Sequence, residues 1–217
     1  MTALNINKLS RKQQIFYLKV ITHIAALIPL VWLYFDFYTY NLGSDEIRAA
    51  LFRTGKPALW LLVISLAITP LNLLFGWKPI LPLRKPLGLY AFMYVMLHFI
   101  IFAFGFGYVS REFVPALVWE EIVFRRYALV GFASFLILIP LAATSTKWAM
   151  RKLGKNWRKL HRWVYLAAIL AVVHYFWLIK NDYTQPAIIA AILAFFLILR
   201  IDVIKTWVRN QRKRRRA

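Results

Sequence analysis

Four histidines are the residues of this chain best suited to do chemistry, and each lies in or at the edge of a long apolar stretch. They are His23 in VITHIAAL, His98 in MYVMLHFIIF, His161 in WRKLHRWVY and His174 in AVVHYFW. An imidazole can ligate a metal, carry a proton or join helices by a hydrogen bond. Inside hydrocarbon an ionisable side chain is costly, so one that persists usually faces the interior of a bundle and has a role. No Asp, Glu or Lys shares the middle of these stretches, which leaves a proton or ion relay short of members. The chain also has no Cys. That excludes disulfides, thiolate-held iron–sulfur clusters, thiol redox chemistry and Cys-containing zinc sites.

The elements that must position these imidazoles are membrane-spanning helices. Of 217 residues, 61% are hydrophobic and 17% aromatic, well above the apolar share of about 45–50% in soluble domains. A span needs about 20 largely apolar residues. Six segments qualify, at about 18–36, 57–75, 87–106, 127–146, 163–179 and 186–204, and the connections YNLGSDE, FGWKPILPLRKP, GYVSREFVP, RKLGKNWRK and NDYTQP carry the helix breakers. The expected architecture is an all-α, integral membrane six-helix bundle: one transmembrane domain over 1–217, with a basic cytoplasmic tail at 205–217. The apolar stretch after the basic amino end runs on too long for a signal peptide, and no small-residue cleavage site follows, so it reads as a retained helix.

The net charge of +21 belongs to topology rather than to nucleic-acid binding. Counted over alternate connections and both ends, 22 of the 29 Lys and Arg residues fall on one side of the membrane. Lys8, Arg11, Lys12 and Lys19 precede the first span; Lys78, Arg84 and Lys85 precede the third; the run from Lys147 to Arg162 precedes the fifth; Arg200 to Arg216 close the chain. The positive-inside rule puts that side, with both termini, in the cytoplasm. Seven of the eight acidic residues, Asp36, Asp45, Glu46, Glu112, Glu120, Glu121 and Asp182, fall on the other side. The segment SREFVPALVWEEIVFRRYAL is apolar and charged at once, and is expected to lie as an amphipathic helix on the outer surface.

Depth relates the histidines to one another. His98 lies 12 residues beyond Pro86 and His174 lies 12 beyond Arg162, so both sit about 18 Å into the membrane at ~1.5 Å per residue. Two imidazoles on two helices at one depth can clamp a single haem, and a bundle of facing helices is where such a cofactor fits. His161 precedes His174 by 13 residues and marks a second level about 20 Å lower. At ~100° per residue that spacing turns the two about 140° apart on an ideal helix, which rotation, a bulge or offset haems must absorb. The third span, traced 14 residues down from His98, reaches Arg84 and not a second histidine. His23 is the other imidazole at a suitable depth; it is a ligand or, alternatively, an interhelical hydrogen-bonding residue. Arg84 reads either as a topology anchor or as the partner of a haem propionate or flavin phosphate. Taken singly, each histidine could instead be satisfied by a neighbouring helix's backbone; it is the joint pattern that favours haem.

The stretch TSTKWAMRKLGKNWRKLHRWVYLAAILAVVHYFW, Thr144 to Trp177, resembles the MsrQ family, the haem-binding membrane subunits of bacterial periplasmic methionine sulfoxide reductase systems. LKVITHIAALIPLVWL, TGKPALWLLVISLAITPL and RKPLGLYAFMYVMLHF extend the likeness over nearly the whole chain. More broadly the chain is similar to the ferric reductase-like transmembrane domain shared with NADPH oxidases and metalloreductases. The resemblance implies a b-type cytochrome in the bacterial inner membrane, with one or two haems b and His98, His161 and His174 as axial ligands. It implies electrons delivered by a cytosolic NAD(P)H flavin reductase, with FMN as intermediate carrier, or by the quinone pool, and passed to MsrP, a periplasmic molybdenum-cofactor subunit that reduces methionine sulfoxide in oxidised proteins. In that scheme Lys155, Arg158, Lys159 and Arg162 would attract the flavin phosphate, the outer loops with Glu112, Glu120 and Glu121 would dock the partner, and the chain itself would convert no substrate. The wider oxidase family carries two histidines on each of two helices; here Arg84 stands where the fourth is expected. Rival readings are a stand-alone ferric or metal reductase of the same architecture, and a transporter or assembly factor in which the histidines only tie helices together.

Overall fold

The computed structural model describes residues 10–109 and 112–214. Lys8, Arg111, Arg215 and Arg216 lie outside the described residues. Ten helices and one short hairpin are described, in the order α1 (Arg11–Tyr38), α2 (Glu46–Phe75), α3 (Arg84–Gly107), β1 (Tyr108–Val109), β2 (Glu112–Phe113), α4 (Pro115–Phe124), α5 (Arg126–Ala143), α6 (Lys147–Leu153), α7 (Lys155–Leu160), α8 (Val164–Leu178), α9 (Thr184–Ile198) and α10 (Asp202–Arg214).

Local chemistry sets the helix ends. Ser10 and Gln13 form a reciprocal capping box at the start of α1, where the Gln13 amide donates to Ser10 Oγ and the Ser10 amide donates to Gln13 Oε1. The Asp45 carboxylate accepts from the Arg48 amide at the start of α2, and that helix stops at Gly76, whose φ of +72° is open to glycine at little cost. A 3₁₀ turn over Lys78–Leu83 runs directly into α3. The connection FGWKPILPLRKP is therefore largely helical, its Pro79 sitting in the first turn, where a missing N–H is tolerated. RKLGKNWRK likewise contains parts of two short helices, α6 and α7, meeting at Gly154 with φ +50°. The helix expected between the third and fourth spans is present as α4.

Among the described residues, four helices are long and apolar enough to cross a membrane: α1, α2, α3 with its leading 3₁₀ turn, and α5. A fifth is added if α9 and α10, bent by 76° at Leu199–Ile201, count as one broken span. The segment expected as one span over about 186–204 thus turns sharply after Ile198. Helix α8 has 15 residues, short of a full crossing, because Lys155–Trp163 before it is taken up by α7 and a 3₁₀ turn. Large apolar side chains cover the outside of these helices, among them Phe16, Ile24, Val31, Trp32 and Phe35 on α1, a surface that suits lipid rather than water.

Helices α2 and α3 pack along their length, as do α5 and α8. Ala91, Ala167 and Ala168 are at most 1% exposed, and small residues of this kind let helix backbones approach closely. Polar groups inside are spent on helix carbonyls. Tyr94 Oη donates to Ala26 O at 2.7 Å, and Ser134 Oγ donates to Ala167 O at 2.8 Å. Asp36 on α1 is buried and pairs with Arg53 on α2. Breaking a buried ion pair from one side costs about 3–5 kcal/mol because the other charge is stranded. Replacing Arg53 with Gln is expected to lower the thermal midpoint of the purified protein, and replacing Asp36 and Arg53 together with Asn and Gln to cost less than the sum of the single changes.

Candidate haem site

His98 on α3 and His174 on α8 face each other, with ring centres 6.3 Å apart and ring planes nearly perpendicular at 87°. Each imidazole is held in the same way by the helix packed against its own. His98 Nδ1 lies 3.0 Å from Leu51 O on α2, and His174 Nδ1 lies 2.7 Å from Tyr127 O on α5. A carbonyl can only accept, so both Nδ1 atoms carry the proton and both Nε2 atoms keep a lone pair. Fixing the tautomer through the other ring nitrogen is how proteins prepare histidine for metal binding. Thr54 reinforces the arrangement: its hydroxyl donates to Ala50 O at 2.8 Å, and its oxygen lies 3.3 Å from His98 Nδ1.

Four residues beyond each accepting carbonyl stands a glycine. A Cβ on Gly55 would come within 3.1 Å of the His98 ring, and one on Gly131 within 2.6 Å of His174 Nδ1. The two half-sites are therefore built alike, carbonyl at position i and glycine at i+4, on two different helix pairs. Sequence reasoning found the histidines and missed these supports. The detectable signal was a glycine just before the second apolar span and one inside the fourth, small residues of the kind that permit close approach.

The pair opens onto a cavity of about 590 Å³ lined by Phe99, Phe102, Phe106, Phe132 and Tyr127 beside the two histidines. Arg48, Lys56, Arg125 and Lys180 also line it. Arg48, Arg125 and Lys180 come from the start of α2, the residue before α5 and just after α8, so they gather at one end of the bundle. A metal held by two imidazole nitrogens at about 2 Å each separates the ring centres by roughly 6 Å, the spacing seen here. The apolar walls, the two free Nε2 lone pairs and the cations at one end fit an iron porphyrin with acidic side groups.

The other candidates lie apart from this pair. His161, at the 3₁₀ turn before α8, stacks on Trp157 with ring centres 4.0 Å apart, and its Nε2 lies 3.0 Å from Thr144 Oγ1. The Thr144 hydroxyl donates to Pro140 O at 2.6 Å, which leaves its oxygen to accept from His161 Nε2. Burial lowers the His161 pKa, which disfavours the charged ring. His23 Nδ1 is 2.9 Å from Tyr90 Oη. Arg84 donates from Nη1 to Thr69 Oγ1 and from Nε to Leu81 O. Among the described residues, His98 and His174 are the histidines brought into ring contact with each other.

The facing imidazoles with matched tautomers thus sit inside a bundle of helices apolar enough for a membrane. Residues 54–172 match the ferric reductase-like transmembrane component family. Proteins named protein-methionine-sulfoxide reductase heme-binding subunit MsrQ are similar over most of the chain. The one from Rhodospirillum rubrum is 41% identical over 84% of this chain and 86% of its own length. Those from Xanthomonas axonopodis pv. citri and Xanthomonas campestris pv. campestris are 41% and 40% identical, each over 84% of this chain and 85% of its own length. The chain belongs to the ferric reductase-like transmembrane family and, within it, to the MsrQ group. No solved structure matches it significantly.

The tautomer assignment is directly testable. In metal-free protein carrying ¹⁵N-labelled histidine, both His98 and His174 are expected to show the Nδ1–H form. Gly131→Ala is expected to displace the His174 resonances and leave those of His98 in place; a spectrum unchanged at His174 would contradict the close packing described.

Proposed function

We propose that the chain is a b-type cytochrome membrane subunit of a protein-methionine-sulfoxide reductase system, and that His98 and His174 hold its haem. The observation that carries this reading is the facing pair whose Nδ1 atoms are both committed to helix carbonyls, with both Nε2 lone pairs left over. The printed name of the relatives, heme-binding subunit, supports the same cofactor. Haem bound there would supply one-electron redox chemistry.

The residues of the chain do the rest. The carbonyls of Leu51 and Tyr127 orient the ligands, while Gly55 and Gly131 make room for them. Phe99, Phe102 and Phe132 give the cavity apolar walls. Arg48 and Lys180 are placed to meet haem carboxylates at the cavity's end; Arg125 is partly neutralised by its ion pair with Glu121. A six-span topology in the bacterial inner membrane, with both termini cytoplasmic, is the arrangement the charge asymmetry favours. It puts the His98–His174 pair nearer the periplasmic face and His161 nearer the cytoplasm. Electrons would enter from a cytosolic NAD(P)H flavin reductase through FMN, or from quinol, pass the His161 level, and leave across the periplasmic loops to the molybdenum-cofactor subunit MsrP. Glu112 and Glu120 are exposed and available to that partner. His161 would reach iron through Nδ1, or through Nε2 after releasing Thr144.

Alanine at His98 or at His174 is expected to abolish the Soret absorbance of the haem between them. Alanine at His161 is expected to leave that band in place. Full haem content in both the His98 and His174 variants, measured as the pyridine haemochrome, would overturn the reading.

A further inference from the structure

We propose that Arg84 and Arg200 together receive the acidic group, a carboxylate or a phosphate, of an electron carrier at the inner end of the bundle, opposite the end where Arg48 and Lys180 lie. This rests on the electron-transfer reading above and assigns residues to its entry side.

Arg200 lies just beyond α9, where the chain bends toward α10, and its side chain reaches back into the bundle. Nη1 donates to Tyr165 Oη at 2.7 Å and Nη2 donates to Leu66 O. Nε is buried without a hydrogen-bond partner. Arg84, at the start of α3, reaches the same turn of α2 from the other side. Its Nη1 donates to Thr69 Oγ1 at 3.1 Å, and its backbone carbonyl accepts from Ser65 Oγ at 2.9 Å. Leu66 and Thr69 are three residues apart on α2, so the two guanidinium groups reach neighbouring positions of one helical turn, one from α3 and one from the end of α9.

All the partners of these two groups are neutral. Among the described residues, neither guanidinium is paired with a carboxylate. Asp202, the nearest acid to Arg200 in the chain, is almost fully exposed and pairs with Lys205 at 3.2 Å. Arginine keeps its charge at any physiological pH. Arg200 is partly buried, where a cation is costly without a counter-charge, while Arg84 is exposed beside it, and two neighbouring cations repel. An oxyanion between them would remove both costs and could take the unpartnered Nε–H. Tyr165 lies four residues beyond His161, so the site adjoins the level where electrons are proposed to enter. Two carriers offer the required group: FMN through its phosphate, and a haem at the His161 level through a propionate.

The experiment uses the purified holoprotein in nanodiscs, with Arg84→Gln, Arg200→Gln and the charge-conserving Arg200→Lys. If the group is a phosphate, wild-type protein binds FMN at least about tenfold more tightly than riboflavin, the scale of one charge-assisted hydrogen bond. Inorganic phosphate then competes, and both Gln variants lose the preference. If it is a propionate, FMN and riboflavin bind alike, while each Gln variant loses one haem per protein or lowers the potential of one haem component. Arg200→Lys is expected to keep part of either effect. The proposal is overturned if wild-type protein shows no preference for FMN and the haem titrates identically in Arg84→Gln and Arg200→Gln. The wild-type comparison of the two flavins needs no variant to fold. A His98–His174 Soret band present throughout would mean that the cytochrome reading survives that failure.

Discussion

The penalty for leaving a polar group unsatisfied in hydrocarbon governs this structure. Every imidazole, hydroxyl and guanidinium placed among the apolar helices must find a partner there, and the most available partner is a backbone carbonyl. Tyr94 and Ser134 meet the requirement by tying one helix to the next. His98 and His174 meet it with one ring nitrogen each, and the same bond that satisfies Nδ1 leaves Nε2 unprotonated and turned away from the supporting helix. Solvation and the choice of tautomer are a single event. Thr54, Gly55 and Gly131 then refine where each ring can stand.

Much of this was legible in the sequence, because membrane thickness converts residue counts into depths. His98 stands 12 positions beyond Pro86 and His174 12 beyond Arg162, and the fold does bring them face to face. The carbonyls that orient them were not legible, since a backbone oxygen carries no residue signature and its position depends on the register of one helix against another. Gly55 and Gly131 were visible as glycines but not as paired supports. Helices α6 and α7 were hidden because a lone glycine inside a basic run reads as a loop, whereas Gly154 at φ +50° joins two helical turns. The bend after Ile198 was hidden for another reason: Arg200 turns back to Leu66 and Tyr165, a long-range tether that no local pattern announces.

Charge does different work at the two ends of the bundle. Where α2 begins, Asp36 answers Arg53 and Glu121 answers Arg125. Where α2 ends, the cations have few carboxylates and turn to carbonyls instead. Arg212 on α10 donates to Asn72 O and Leu73 O, two of the last carbonyls of α2, and so covers the negative pole of that helix. The chain thus anchors its last helix to the one that presents Leu51 and Gly55 to His98.

The doubled construction of the histidine cradle reaches further than ligation. Each ring is aimed entirely within its own helix pair, α2 with α3 or α5 with α8, so neither depends on the opposite pair for its orientation. What the two pairs share is the gap between them, wedged by the stacked rings of Phe92, Phe99 and Phe135. The assembly works like a vice whose jaws are rigid and whose opening is a separate adjustment. Resizing those phenyl spacers would change the opening between the two rings while the aim of either jaw stays untouched.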